Sequence, residues 1–116
     1  MKDLSARFGV LRDGVAFKFT SRLTLEEMYK RLTELGLWHW YERDSDHWGY
    51  YISASPMPDT QIKILIDPDD GHFALNLKFV SEAPEAQQQF DKLRRDILTC
   101  VLPAIDASSP TPTETY

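Results

Sequence analysis

Between residues 25 and 35 apolar side chains return every three or four positions, as Leu25, Met28, Tyr29, Leu32 and Leu35. That spacing lays them along one face of an α-helix. Thr24-Leu25-Glu26-Glu27 reads as a capping box: the Thr24 hydroxyl accepts from the backbone N–H of Glu27, whose carboxylate reaches back. Gly36 follows, the residue that most easily takes the left-handed conformation ending a helix. A second helix is predicted from just after Ser81 to about Pro103, with Pro84 tolerated in its first turn. Its apolar stripe is Ala86, Phe90, Leu93, Ile97 and Cys100 or Val101.

Between the helices the period changes to two. Trp38 and Trp40 alternate with His39 and Tyr41; Tyr50, Ile52 and Ala54 follow Trp48 and alternate with Gly49, Tyr51 and Ser53. Ile62, Ile64 and Ile66 alternate with Lys63 and Leu65, and Phe73, Leu75, Leu77 and Phe79 with Ala74, Asn76 and Lys78. These are four half-buried strands separated by turn-like connectors at 43–47, 55–59 and 67–71, hence an antiparallel meander. A fifth strand precedes the first helix, with Val15, Phe17 and Phe19 on one face and Ala16, Lys18 and Thr20 on the other. Upstream of it, Phe8-Gly9-Val10-Leu11 and the turn pair Asp13-Gly14 suggest a hairpin.

Every apolar face is satisfied at once by a two-layer α+β sandwich. It has an antiparallel sheet of about five strands in the order β-α-β-β-β-β-α, with both helices on one face. Strand order is left open by the pattern. Residues 1–106 form a single domain in this reading. Residues 107–116, rich in Ser, Thr and Pro with almost nothing to bury, are expected to be a disordered tail.

Composition narrows the function classes. The apolar share is 42% and the charged share 27%, the balance of a folded water-soluble domain. No run approaches the roughly 18 to 20 apolar residues of a membrane span. The start of the chain carries no hydrophobic signal core and the chain has 1 cysteine, so a cytoplasmic location and no membrane association are expected. A net charge of −5 disfavours bulk nucleic-acid binding, and a protein partner, a basic one, is expected.

With the apolar faces turned to the helices, alternation assigns Lys18, His39, Tyr41, Arg43, Tyr51, Lys63, Leu65, His72 and Lys78 to the open side of the sheet. That face is basic and aromatic. Carboxylates collect instead in the connectors, as Asp44, Asp46, Asp59, Asp67, Asp69 and Asp70. The expected function is that of a small non-catalytic protein-binding module, of immunity, antitoxin or adaptor type. Asp44, Asp46, Asp67, Asp69 and Asp70 would steer a basic partner, and Arg43, Trp48, Tyr50 and Tyr51 would supply the aromatic anchor, with a homodimer contact as another use. The alternative site is the open face, where Lys18, His39, Tyr41, Lys63, His72 and Lys78 would hold a single nucleic-acid strand, or cleave one if His39 and His72 act as acid and base. A further alternative is a small-ligand carrier with a pocket between the aromatic hairpin and the helices.

Other chemistry finds little support. Asp44-Ser45-Asp46-His47-Trp48-Gly49 resembles a calcium loop only at its start, since Trp48 and Ser55 fall where oxygen ligands belong. The three histidines lack metal-ligand spacing and Cys100 lies on an apolar helix face, so no metal and no cofactor are expected. No nucleophile elbow, phosphate-binding glycine loop or dinucleotide fingerprint is present.

Overall fold

A computed structural model of the chain describes residues 11–46, 49–67 and 71–113. The elements run β1 (Leu11–Thr20), α1 (Leu25–Leu35), β2 (Trp40–Ser45), β3 (Gly49–Ala54), β4 (Gln61–Ile66), β5 (Phe73–Ser81), α2 (Ala86–Asp96), a π turn (Ile97–Val101), a last helical turn (Leu102–Ala104) and β6 (Ser108–Thr113). The six strands form one antiparallel sheet in the order β2-β3-β4-β5-β1-β6. The fold is the α+β arrangement expected, with one strand more.

The meander follows from its alternation. Tyr41 lies opposite Ser53, Ser53 opposite Lys63 and Lys63 opposite Asn76, while Ile52 faces Ile64 and Ile64 faces Leu75 on the other side. The second set joins Phe17, Phe19, Leu77 and Phe79 in a core closed by Met28 and Leu32 of α1 and by Phe90, Leu93 and Ile97 of the second helical run. The Phe79 and Phe90 rings meet at 5.3 Å and tie β5 to α2. α1 is capped as its sequence requires: Thr24 Oγ1 accepts from Glu27 N at 3.2 Å, Glu27 Oε1 accepts from Thr24 N at 2.9 Å, and Gly36 ends the helix at φ 72°. Among the described residues no helix is long and apolar enough to cross a membrane.

Three features depart from the sequence pattern. Asp13-Gly14 is no hairpin turn; β1 runs straight through it, paired to β5 from Leu11↔Ser81 to Phe19↔Phe73. Continuous pairing with β5 along the whole strand outweighs a local turn preference, and Gly14 is not among the glycines with positive φ. Phe8, Gly9 and Val10 lie outside the described residues.

Second, residues 108–113 of the expected tail form β6, antiparallel to β1 with Lys18 opposite Thr111 and Phe17 opposite Pro112. All six side chains are exposed, so backbone pairing rather than apolar burial holds the strand, and composition cannot register that.

Third, the second helical run widens. Leu93, Ile97, Val101 and Ile105 are buried every four residues, and in an ideal α-helix such a stripe would drift about 40° per step. The π turn takes up the surplus, with the Leu102 N–H reaching Ile97 O. The run ends in a Schellman pattern: Ala107 N donates to Leu102 O at 3.0 Å and Asp106 N to Pro103 O at 3.1 Å. Asp106 takes the left-handed position at φ 51°. Its carboxylate pairs with Arg22 at 2.6 Å and Arg31 at 3.6 Å, fastening the end of the fold to the entrance and body of α1.

Candidate functional site

The sheet face away from the helices has a buried floor and a tall rim. Ala16, Ser53, Leu65, Ala74 and Asn76 are all buried there. Around them stand longer side chains carried by β2, β3 and β4. The Arg43 guanidinium lies 5.1 Å from the centre of the Tyr41 ring, and the His39 ring packs on the same tyrosine at 4.5 Å. Lys63 reaches toward β3 and sets its ammonium 5.5 Å from the Tyr51 ring. Tyr51 is the cross-strand neighbour of Arg43, so His39, Tyr41, Arg43, Tyr51 and Lys63 form one continuous assembly of rings and cations. Tyr41 is 46% exposed, which is high for so large an apolar surface. The Tyr41 and Tyr51 rings are each braced by a cation, with Tyr41 and His39 open to solvent.

The remaining open-face residues take other places. Lys78 is exposed on β5, beside Gln61. Lys18 is drawn into an ion pair with Asp67 at 2.8 Å. His72, exposed before β5, lines a cavity of about 390 Å³ with Lys18, Thr20 and residues of β6. His39 and His72 are not brought together. They flank β2 and β5, three strand spacings or about 14 Å apart laterally, and sit at opposite ends of the sheet. A concerted acid–base pair needs both groups within reach of one substrate bond, and this spacing does not provide it.

The acidic connectors are less uniform than their composition suggests. Asp67 is buried, 6% exposed, so it is not a steering charge at the surface; it supplies the carboxylate that partly neutralises Lys18. Asp44 and Asp46 are exposed at the β2 end of the hairpin. Trp48, Asp69 and Asp70 lie outside the described residues. Tyr50 turns to the helix side, where its hydroxyl donates to Glu42 Oε2 at 2.8 Å. Partial burial and the neighbouring Glu42 carboxylate hold its phenol well above the ordinary tyrosine range.

Two residues at this site were missed by charge and motif reading. Glu42 lies between Tyr41 and Arg43 on the edge strand, and its alternation with them was the available signal. Asn76 sits in the floor, 5% exposed, with no hydrogen-bond partner for its side-chain Oδ1 among the described residues; its place opposite Lys63 follows only from the register. A separate hollow of about 390 Å³ lies at the end of α1 among Tyr29, Thr33, Leu37, Trp38 and Trp40. Among the described residues the buried Trp40 indole N–H beside it has no acceptor. Among the described residues no group of His, Cys, Asp or Glu is placed to hold a metal ion.

Compared with known protein families the chain matches none, and a comparison with curated proteins finds no match either.

Proposed function

We propose that the protein is a non-catalytic binding domain for another protein, and that its contact surface is the open sheet face around Tyr41 and Arg43. The observation that carries this reading is the exposed assembly of His39, Tyr41, Arg43, Tyr51 and Lys63, in which rings and cations brace one another. Tyrosine and arginine held in fixed conformations lose little entropy on binding, which is why they dominate binding hot spots. The burial of Asp67 moves the weight of the proposal from the acidic connectors to this face. Acidic side chains of the partner would meet Arg43 and Lys63, and Asp44 and Asp46 at the hairpin end would meet basic ones.

The test is capture from a lysate of the native cell, with and without nuclease, using the wild-type chain and a Tyr41→Ala, Lys63→Glu double variant. A protein held stoichiometrically by the wild type, resistant to nuclease and lost from the variant, is the expected result. Retention that depends on nucleic acid would replace the reading with single-strand binding on the same face. Unchanged retention by the variant would remove this face from the account.

A further inference from the structure

The two edges of the sheet differ in kind. At one end β6 carries Pro110 and Pro112, which have no backbone N–H to offer a further strand. At the other end β2 contains neither proline nor lysine, and among the described residues nothing pairs with its outer side. Tyr41, Glu42, Arg43 and Asp44 are all exposed along it. Natural edges are commonly blunted, and here only one of them is blocked at the backbone.

The side chains of β2 decide what can be added. In an antiparallel pair, residues directly opposite each other interact, and like charges there repel. Two copies of β2 meeting about a twofold axis through Glu42 set Glu42 against Glu42. An axis through Arg43 sets Arg43 against Arg43 and Glu42 against Asp44. An axis through Tyr41 sets Tyr41 against Tyr41 and Trp40 against Glu42, but leaves Arg43 and Asp44 with no opposite residue inside the strand. The edge is therefore poorly suited to pairing with itself. It is suited to a strand with a cation opposite Glu42, an anion opposite Arg43 and a cation opposite Asp44.

We infer that β2 is the docking edge for an extended segment of a protein partner with basic–acidic–basic side chains at its centre, added to the sheet as a seventh strand. The inference rests on the protein-binding reading above and gives it a geometry. The acidic residue of the incoming strand lies on the open side, against Arg43 and the tyrosines. Its basic residues lie on the helix side, against Asp44 and against Glu42, which Tyr50 holds in place. Main-chain hydrogen bonds supply attraction without regard to sequence, and the charge alternation supplies the choice.

The experiment uses the full chain and two short synthetic strand-forming peptides, identical except for a Lys-Glu-Lys or a Glu-Lys-Glu centre. The Lys-Glu-Lys peptide is expected to bind about tenfold or more tightly than the other, and to slow amide hydrogen exchange in β2 but not in β6. A variant with Glu42→Lys, Arg43→Glu and Asp44→Lys, all at exposed positions, should reverse the preference. Failure of the Lys-Glu-Lys peptide to protect β2, or equal binding of both peptides by the wild type, overturns the proposal without reference to how the variant folds. A double variant with Glu42→Lys and Asp44→Lys alone, which leaves Arg43 and the open face intact, separates this inference from the broader one. If it still captures the partner that Tyr41→Ala, Lys63→Glu loses, the open face stands and the edge does not.

Discussion

The Lys18 ammonium lies 2.8 Å from the carboxylate of Asp67, and the Asp67 side chain is only 8% exposed against 28% for Lys18. The two partners are unequally desolvated, and the pair joins β1 to the connector after β4 across two intervening strand boundaries. Removing the lysine takes the counter-charge from a buried carboxylate. Removing the carboxylate leaves an ammonium that can still reach water. Lys18→Met should therefore cost more than Asp67→Asn, approaching the about 3 kcal/mol at the lower end for broken buried pairs. Urea denaturation of the two variants checks the order; equal losses would mean that the pair is effectively at the surface.

The α1 cap gives a prediction in acid. Hydrogen bonds from the Thr24 backbone and side chain hold the Glu27 carboxyl below its ordinary value of 4.5. A carboxyl whose folded pKa is depressed stabilises the fold above its unfolded pKa, and that contribution is lost as pH falls through the lower folded value. Thr24→Ala should cost about 1 kcal/mol near neutrality. The part of this difference that depends on the Glu27 charge should fade below about pH 4.5, as seen by comparing thermal unfolding of Thr24→Ala and Glu27→Gln with wild type at pH 7 and pH 3.

Tyr50 gives the complementary prediction in base. Its phenol is held above the ordinary 10.0 by burial first and then by Glu42. A group whose folded pKa is raised contributes stability that is complete below the unfolded pKa and is lost as pH rises toward the folded one. Between pH 9 and pH 11.5 the wild type should lose more stability than Tyr50→Phe, and the variant should lack the last phenol to ionise in an ultraviolet titration. Parallel losses in the two proteins would show that the Glu42 contact does not persist in solution.

The π turn can be removed by deletion. Without the exposed Thr99, the Leu102 N–H still faces Ile97 O but spans one residue fewer, which is the ordinary α-helical bond. Deleting Thr99 should cost no more than about 1–2 kcal/mol. Deleting Gln88 instead turns every later buried residue by about 100° and should abolish cooperative unfolding. Calorimetry on both variants distinguishes a register-correcting insertion from a turn that the packing requires.

Local signals were read well from sequence, and long-range ones were not. The Thr24–Glu27 cap and Gly36 are contained in a few consecutive residues, and strand alternation alone placed Trp40 inward and Tyr41 and Arg43 outward. Asp13-Gly14 misled because a turn preference worth little was set against a whole ladder with β5. Asp67 misled because its partner, Lys18, is far away in the chain, so a carboxylate in a run of acids looked solvated. β6 was invisible to any measure based on apolar residues, since its side chains bury nothing. The ring–cation assembly was legible in part: parity collected its members, but the pairing of Lys63 with Tyr51 needed the register between β3 and β4.

Pro110 and Pro112 also bear on stoichiometry. A sheet able to accept strands at both ends can propagate, each addition presenting a fresh template to the next. Pro110 and Pro112 leave β6 without an N–H at two positions, which disfavours further strand addition at that end. Recruitment through β2, as proposed, would then stop after one event. The protein could engage an extended and otherwise aggregation-prone segment as a closed one-to-one complex, with no route to a fibre through its far edge.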